Sequence, residues 1–346
     1  MKDETERLLE SVDISSLQEK TPDVDLHSVL LKAAGGEGTY DPLNIVEKIM
    51  KMVKSTMSAT LPMMMRIVGI GILSAGISRT FAEHKTAKIC DLISCMCAAM
   101  LLSAYTTERF AETKQSIQQM TDFTTALLPT LLAMMTACGR TRSAAGLQRL
   151  SLAATGGFAD LFTGSLLNLL GCAAAMVLVN AVMEGERLKG LNRMLRNAVH
   201  WMVGVCIAVF MGCLTIQAGT GTHYDGIALR VAKYAVDKSV PIVGGLFKDA
   251  SDTFVGSALL VRYALGVVGL AGLLSILAAP ALKILCSAVG IRMCAVLLEP
   301  FGADRMCRMI SGFADVLISV FVLFFGTALL NLAMVAAMMY TGMEFM

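Results

Sequence analysis

The sequence predicts an all-α fold, a polytopic helical membrane protein with about eight transmembrane helices behind a short N-terminal polar segment. Three observations predict it. Val316 to Thr341 runs for twenty-six residues without a charge, where about 20 suffice to cross the hydrocarbon core as a helix. Six or seven further runs approach that length. Composition agrees: 55% of the residues are hydrophobic, only 16% are charged, and the mean hydropathy is +0.66, values of a chain whose main solvent is lipid.

The chain divides at about residue 58. Residues 1–58 form the polar segment, with Asp3, Glu4, Glu6, Glu10, Asp13, Glu19, Asp23 and Asp25 ahead of the breaker cluster Gly35-Gly36-Glu37-Gly38. At its end, Leu43, Val46, Ile49, Met50 and Val53 recur at helical spacing with Lys48, Lys51 and Lys54 on other faces. That pattern suits an amphipathic helix at the membrane surface and equally an ordinary soluble helix. Residues 59–346 form the membrane domain. Its candidate spans are Leu61 to Ser78, Ile89 to Tyr105, Phe123 to Cys138, Ala198 to Gly219, Tyr263 to Ala279, Ala281 to Leu298 and Val316 to Thr341.

Ser151 to Met183 is a separate case, because thirty-three residues in one helix would be about 50 Å long against a core of about 30 Å. A break is expected at Gly156-Gly157, Gly164-Ser165 or Asn168, giving either a tight hairpin or a re-entrant piece followed by one span. Basic loop residues favour the hairpin, which puts Arg140, Arg142 and Arg149 on the same side as Arg187, Lys189, Arg193 and Arg196. The N-terminal segment and the 221–262 connection then lie outside, with Arg79 to Lys88 and the C-terminus inside.

The composition excludes several functions. A net charge of +2 offers no concentrated basic face for nucleic acid. Nine of the ten cysteines lie in or beside apolar runs and read as small hydrophobes, without the spacing of a metal site. Nucleotide-loop and zinc-protease motifs are missing, and His27, His84, His200 and His223 are scattered. No catalytic residue, cofactor or metal is therefore expected. Charges inside spans are costly, about 2.5 to 3.5 kcal/mol each at the bilayer centre, which singles out Arg66, Asp91, Asp160, Lys283 and Arg292. Arg66 and Asp91 can reach the interface; Asp160 and Arg292 are deeper, where an internal pair or polar pathway is expected. Asn168, Asn180 and Asn331 read first as interhelical glue.

The interfacial connection 221–262 is the most unusual soluble-facing segment. Val231, Tyr234, Ala235 and Lys238 begin a helical pattern that Pro241 interrupts, Gly244-Gly245 loosens the backbone, and Asp249 and Asp252 sit where they could cap or charge the next helix. A helix-loop-helix from Pro241 to Ser257 is expected, serving as a docking or gating element through Pro241, Gly244, Gly245, Asp249, Asp252 and Gly256. Asp160 to Ser165 and Asp252 to Ser257 share the pattern D-x-F-x-G-S, consistent with a duplicated unit or with chance.

The stretch Lys233 to Gly269, reading KYAVDKSVPIVGGLFKDASDTFVGSALLVRYALGVVG, with the paired helices and long terminal helix after it, resembles the stage III sporulation protein AE family. The similarity extends from about Tyr40 to the C-terminus. The resemblance implies an integral protein of the mother-cell membrane surrounding the forespore. It implies a component of a transenvelope channel, a secretion-like complex with the other stage III A sporulation proteins and a forespore-made membrane partner. Whether the chain is a homo-oligomer stays open. Such proteins often begin with an export signal, and Met1 to Glu10 has no apolar core for one, so whether Met1 is the native start and on which side the N-terminal segment lies both stay open. The competing reading is an autonomous small-molecule or ion permease, which would need Asp160, Asn168 and Arg292 to converge on one mid-membrane cavity.

Overall fold

The computed structural model describes residues 42–80, 85–183, 188–239 and 244–340. The acidic part of the N-terminal segment lies outside them. The described elements are α1 (Pro42–Thr80), α2 (Lys85–Ala137), α3 (Thr141–Leu152), two π-helical turns (Ala153–Phe158 and Leu161–Leu166), α4 (Leu167–Val182), α5 (Lys189–Ser239), α6 (Gly244–Leu298), a 3₁₀ turn (Glu299–Phe301) and α7 (Asp304–Tyr340). The described residues contain no strand. Lipid leaves backbone polar groups no partners outside a helix or closed barrel, which is why the pattern is so uniform.

Six helical runs among the described residues are long and apolar enough to cross a membrane, which corrects the expected eight. The difference comes from apolar runs that share one helix. Ile89 to Tyr105 and Phe123 to Cys138 were expected as separate spans, yet both belong to the α2 helix and its end, because the polar stretch between them has no glycine or proline. Its Glu, Lys, Gln and Arg residues are good helix formers. Tyr263 to Ala279 and Ala281 to Leu298 are likewise one helix, with Pro280 inside it. Membrane helices tolerate such a proline because neighbouring groups re-satisfy the freed carbonyl; Pro62 and Pro129 are also internal.

Ser151 to Met183 corrects a second expectation. The chain neither folds into a hairpin nor re-enters; it passes through the two π turns with helical backbone angles, so Thr141–Val182 is one candidate span. The predicted break points were disturbed without being broken, since Gly156-Gly157 and Gly164-Ser165 both fall in π turns, where an extra residue is accommodated locally. One crossing in place of two puts Arg140 and Arg142 at the opposite end of the bundle from Lys189 and Arg193. The sidedness argument that grouped them therefore fails.

The bundle has two stacked apolar layers, with α7 running through both. One layer joins Ile67 of α1, Leu102 of α2, Val177 of α4, Ile291 and Leu298 of α6, and Ile310 to Leu317 of α7. The other joins Phe123 to Met135 of α2, Phe162, Val203 to Leu214 of α5, Val261 to Leu277 of α6, and Val320 to Met338 of α7. α2 and α6, at 53 and 55 residues, are each roughly 80 Å long and outrun a hydrocarbon core of about 30 Å. Small residues allow close approach: a Cβ on Gly269 would lie 2.9 Å from Leu127 of α2 and 3.2 Å from Val335 of α7.

The amphipathic pattern after Pro42 continues without interruption through residue 58 into the first span. Residues 240–243, including Pro241, lie outside the described residues. From Gly244 the chain is already helical, with no acidic residue in the first turn of α6. Gly244-Gly245 therefore opens a helix rather than a loop, and Asp249 and Asp252 stand too far along it to cap its start. The two D-x-F-x-G-S copies differ in backbone, one spanning a π turn and the other lying within α6.

Candidate functional site: a basic cavity at one end of the bundle

A cavity of about 550 Å³ opens where the end of α4 meets the starts of α5 and α7. Its cationic lining is Lys189, Arg193 and Arg196 on α5 and Arg305 and Arg308 on α7, against two carboxylates, Glu299 and Asp315. Among the described residues five cations line it beside two carboxylates, and the helix N-termini at Lys189 and Asp304 add positive dipole ends.

Part of this charge is structural. Arg305 donates from Nε to the carbonyl of Ala181 at 2.6 Å and from a terminal nitrogen to that of Val182 at 2.5 Å. These are the last carbonyls of α4, which have no partner within the helix, and a cation there also opposes the negative dipole end. Asn180 accepts a hydrogen bond from the Leu188 amide at 3.2 Å, tying the α4–α5 connection shut. Asp315 takes Arg292 at 2.6 Å on one oxygen and Arg196 at 3.1 Å on the other, joining α5, α6 and α7. Arg292 is thus half-exposed and pairs with Asp315, which stands just ahead of the Val316 to Thr341 run.

The other singled-out residues do not converge with it. Asp160, between the π turns, and Asn168 are exposed, and neither lines this cavity. Asn331 donates to the carbonyl of Thr327 in its own helix rather than joining two helices. Arg66 is exposed, and Asp91 accepts from the Ser74 hydroxyl at 3.4 Å. Of Asp249 and Asp252 only the backbone course is described. Gly256 is half-buried.

A second polar group lies mid-bundle, where the polar stretch of α2 faces α6. Arg109 contacts Glu112 at 2.6 Å and stacks 5.0 Å from the Tyr105 ring centre. The Tyr105 hydroxyl and the Ser287 hydroxyl lie 2.6 Å apart, and Lys283 reaches Glu112 at 3.9 Å. This explains how Lys283 is accommodated: α2 supplies its counter-charge. Arg262 is the most deeply buried cation among the described residues, 1% exposed, donating from Nε to the carbonyl of Met338 at 2.9 Å. Sequence reading missed it because it stands at the end of the polar connection, where an exposed position is the default. Among the described residues no group of three His, Cys, Asp or Glu is placed to hold a metal.

The comparisons with known proteins point in one direction. The family model of stage III sporulation protein AE matches residues 24–342. The stage III sporulation protein AE of Bacillus subtilis (strain 168) is 30% identical over 207 residues, 60% of this chain and 52% of that protein. The match thus spans about half the length of this curated relative. No solved structure matches the chain. With a family match running from ahead of α1 to past the end of α7, the chain belongs to the stage III sporulation protein AE family.

Proposed function

We propose that the protein is a membrane component of the mother-cell-to-forespore transenvelope channel, a secretion-like complex needed for forespore development. The family match over residues 24–342 carries this reading. The bundle supports it, because charged groups on different helices pair there, as Asp315 of α7 does with Arg196 of α5 and Arg292 of α6. Its place is the mother-cell membrane around the forespore, and its partners are the other stage III A proteins and a forespore-made membrane protein. Asp160 and Asn168 are exposed and Arg292 pairs with Asp315, which favours this reading over an autonomous permease.

Within this reading, the 221–262 connection is the docking or gating element, acting through Pro241, Gly244, Gly245, Asp249, Asp252 and Gly256. Gly244 and Gly245 at the described start of α6 support it, since residues without side chains leave the backbone open to close approach by a partner. The polar residues 1–58 lead into the membrane domain 59–346 along one helix, since α1 runs from Pro42 to Thr80. Gly245→Val and Asp252→Ala should impair complex assembly and forespore development while the protein still inserts at normal levels. Normal sporulation by both variants would make the segment a simple connector. Failure of the protein to co-purify with any other stage III A protein from sporulating cells would overturn the channel reading itself.

A further inference from the structure

We infer that the basic cavity between α4, α5 and α7 is a binding site for a phosphate-bearing anion presented at the membrane surface. Charge is the first argument. Among the described residues five cations line about 550 Å³ beside two carboxylates, and Asp315 is already shared by Arg196 and Arg292. Basic pockets between transmembrane helices are suited to anionic headgroups.

Unmet hydrogen bonding is the second. Asn192 is 8% exposed and lines the cavity, and its Oδ1 has no hydrogen-bond partner among the described residues. The Nε of Arg196, also on the cavity wall, is a buried donor in the same condition. A buried polar atom left unsatisfied is destabilising. A phosphate ester carrying a hydroxyl meets both demands, with its anionic oxygens accepting from Arg196 and its hydroxyl donating to Asn192.

Position is the third argument. Trp201, the chain's single tryptophan, is 77% exposed and follows Arg193 and Asn197 along α5. Trp side chains concentrate at the headgroup level of a bilayer, so the charged start of α5 lies on the water side of that level. A phosphate group at this depth comes either from an anionic lipid or from a small soluble phosphate. The chemistry is shared, and the two sources are separated by experiment.

The full chain is purified from vesicles of equal phosphatidylglycerol and phosphatidylcholine, and the lipid retained per chain is measured by mass spectrometry. In a second arm, radiolabelled inorganic phosphate is titrated onto the chain in phosphatidylcholine nanodiscs. The paired variant Arg193→Gln, Arg308→Gln is compared with Arg142→Gln, Arg149→Gln, which removes the same charge at the other end of the bundle. Preferential retention of phosphatidylglycerol, falling about tenfold in the cavity pair and unchanged in the distal pair, is the result expected if a lipid supplies the phosphate. Saturable inorganic phosphate binding lost in the cavity pair alone, without lipid preference, identifies a soluble source at the same site. No enrichment and no phosphate binding, or equal loss in both pairs, overturns the proposal. If the cavity pair does not fold, as judged by size-exclusion profile, the single Arg193→Gln variant decides by the same criteria.

Discussion

Arg262 shows what a single residue does when a helix end is buried. Met338, whose carbonyl it takes, lies in the last turn of α7, where backbone acceptors have no partner within the helix. A guanidinium offers several donors in one plane and opposes the negative end of the helix dipole. Replacing it with methionine keeps much of the volume and removes the donors. Arg262→Met should lower the stability of the detergent-purified protein by about 1–3 kcal/mol, read as a lower midpoint of thermal unfolding. Arg262→Lys should recover part of the loss. An unchanged midpoint in Arg262→Met would mean that Met338 is satisfied without the arginine.

Among the elements, helix packing depends on where a glycine sits. The Gly272 face of α6 lies against the Phe123 ring of α2, and an added Cβ would come within 3.0 Å of Phe123 Cε1 and closer still to the ring tip. Phe123 is itself fully buried and cannot swing aside freely in a close-packed core. Gly204 on α5 has nothing within 4 Å of the same position. Gly272→Ala should therefore destabilise by about 1–3 kcal/mol through overpacking, while Gly204→Ala should be neutral or stabilising by up to about 1 kcal/mol. Parallel thermal melts check the pair, and equal effects of the two changes would refute the contact argument.

At the scale of the whole molecule, the continuity of Thr141–Val182 decides the topology. With one candidate crossing between them, Arg142 and Lys189 are expected on opposite sides of the membrane; the hairpin would have put them together. In a background with the ten native cysteines replaced by alanine, Arg142→Cys and Lys189→Cys should react with an impermeant maleimide from opposite faces of oriented vesicles. Labelling of both from one face would restore the hairpin.

The sequence by itself determined the all-helical membrane class, because runs such as Val316 to Thr341 have only one way to satisfy their backbone in lipid. It also marked Gly156-Gly157 and Gly164 as irregular, since glycine weakens a helix wherever it stands. What those glycines do was decided by tertiary structure: packing of Ala154 and Phe158 in the first π turn and of Phe162 and Leu166 in the second against the core holds the chain helical, and local propensity cannot anticipate that. The number of spans was misjudged for the same reason, as hydropathy marks where lipid-like surface begins and ends but not whether the helix continues. Charge pairing was the least legible feature. Asp315, Arg196 and Arg292 lie on three helices, and only the bundle brings them together, because an ion pair depends on distance in space rather than on spacing along the chain.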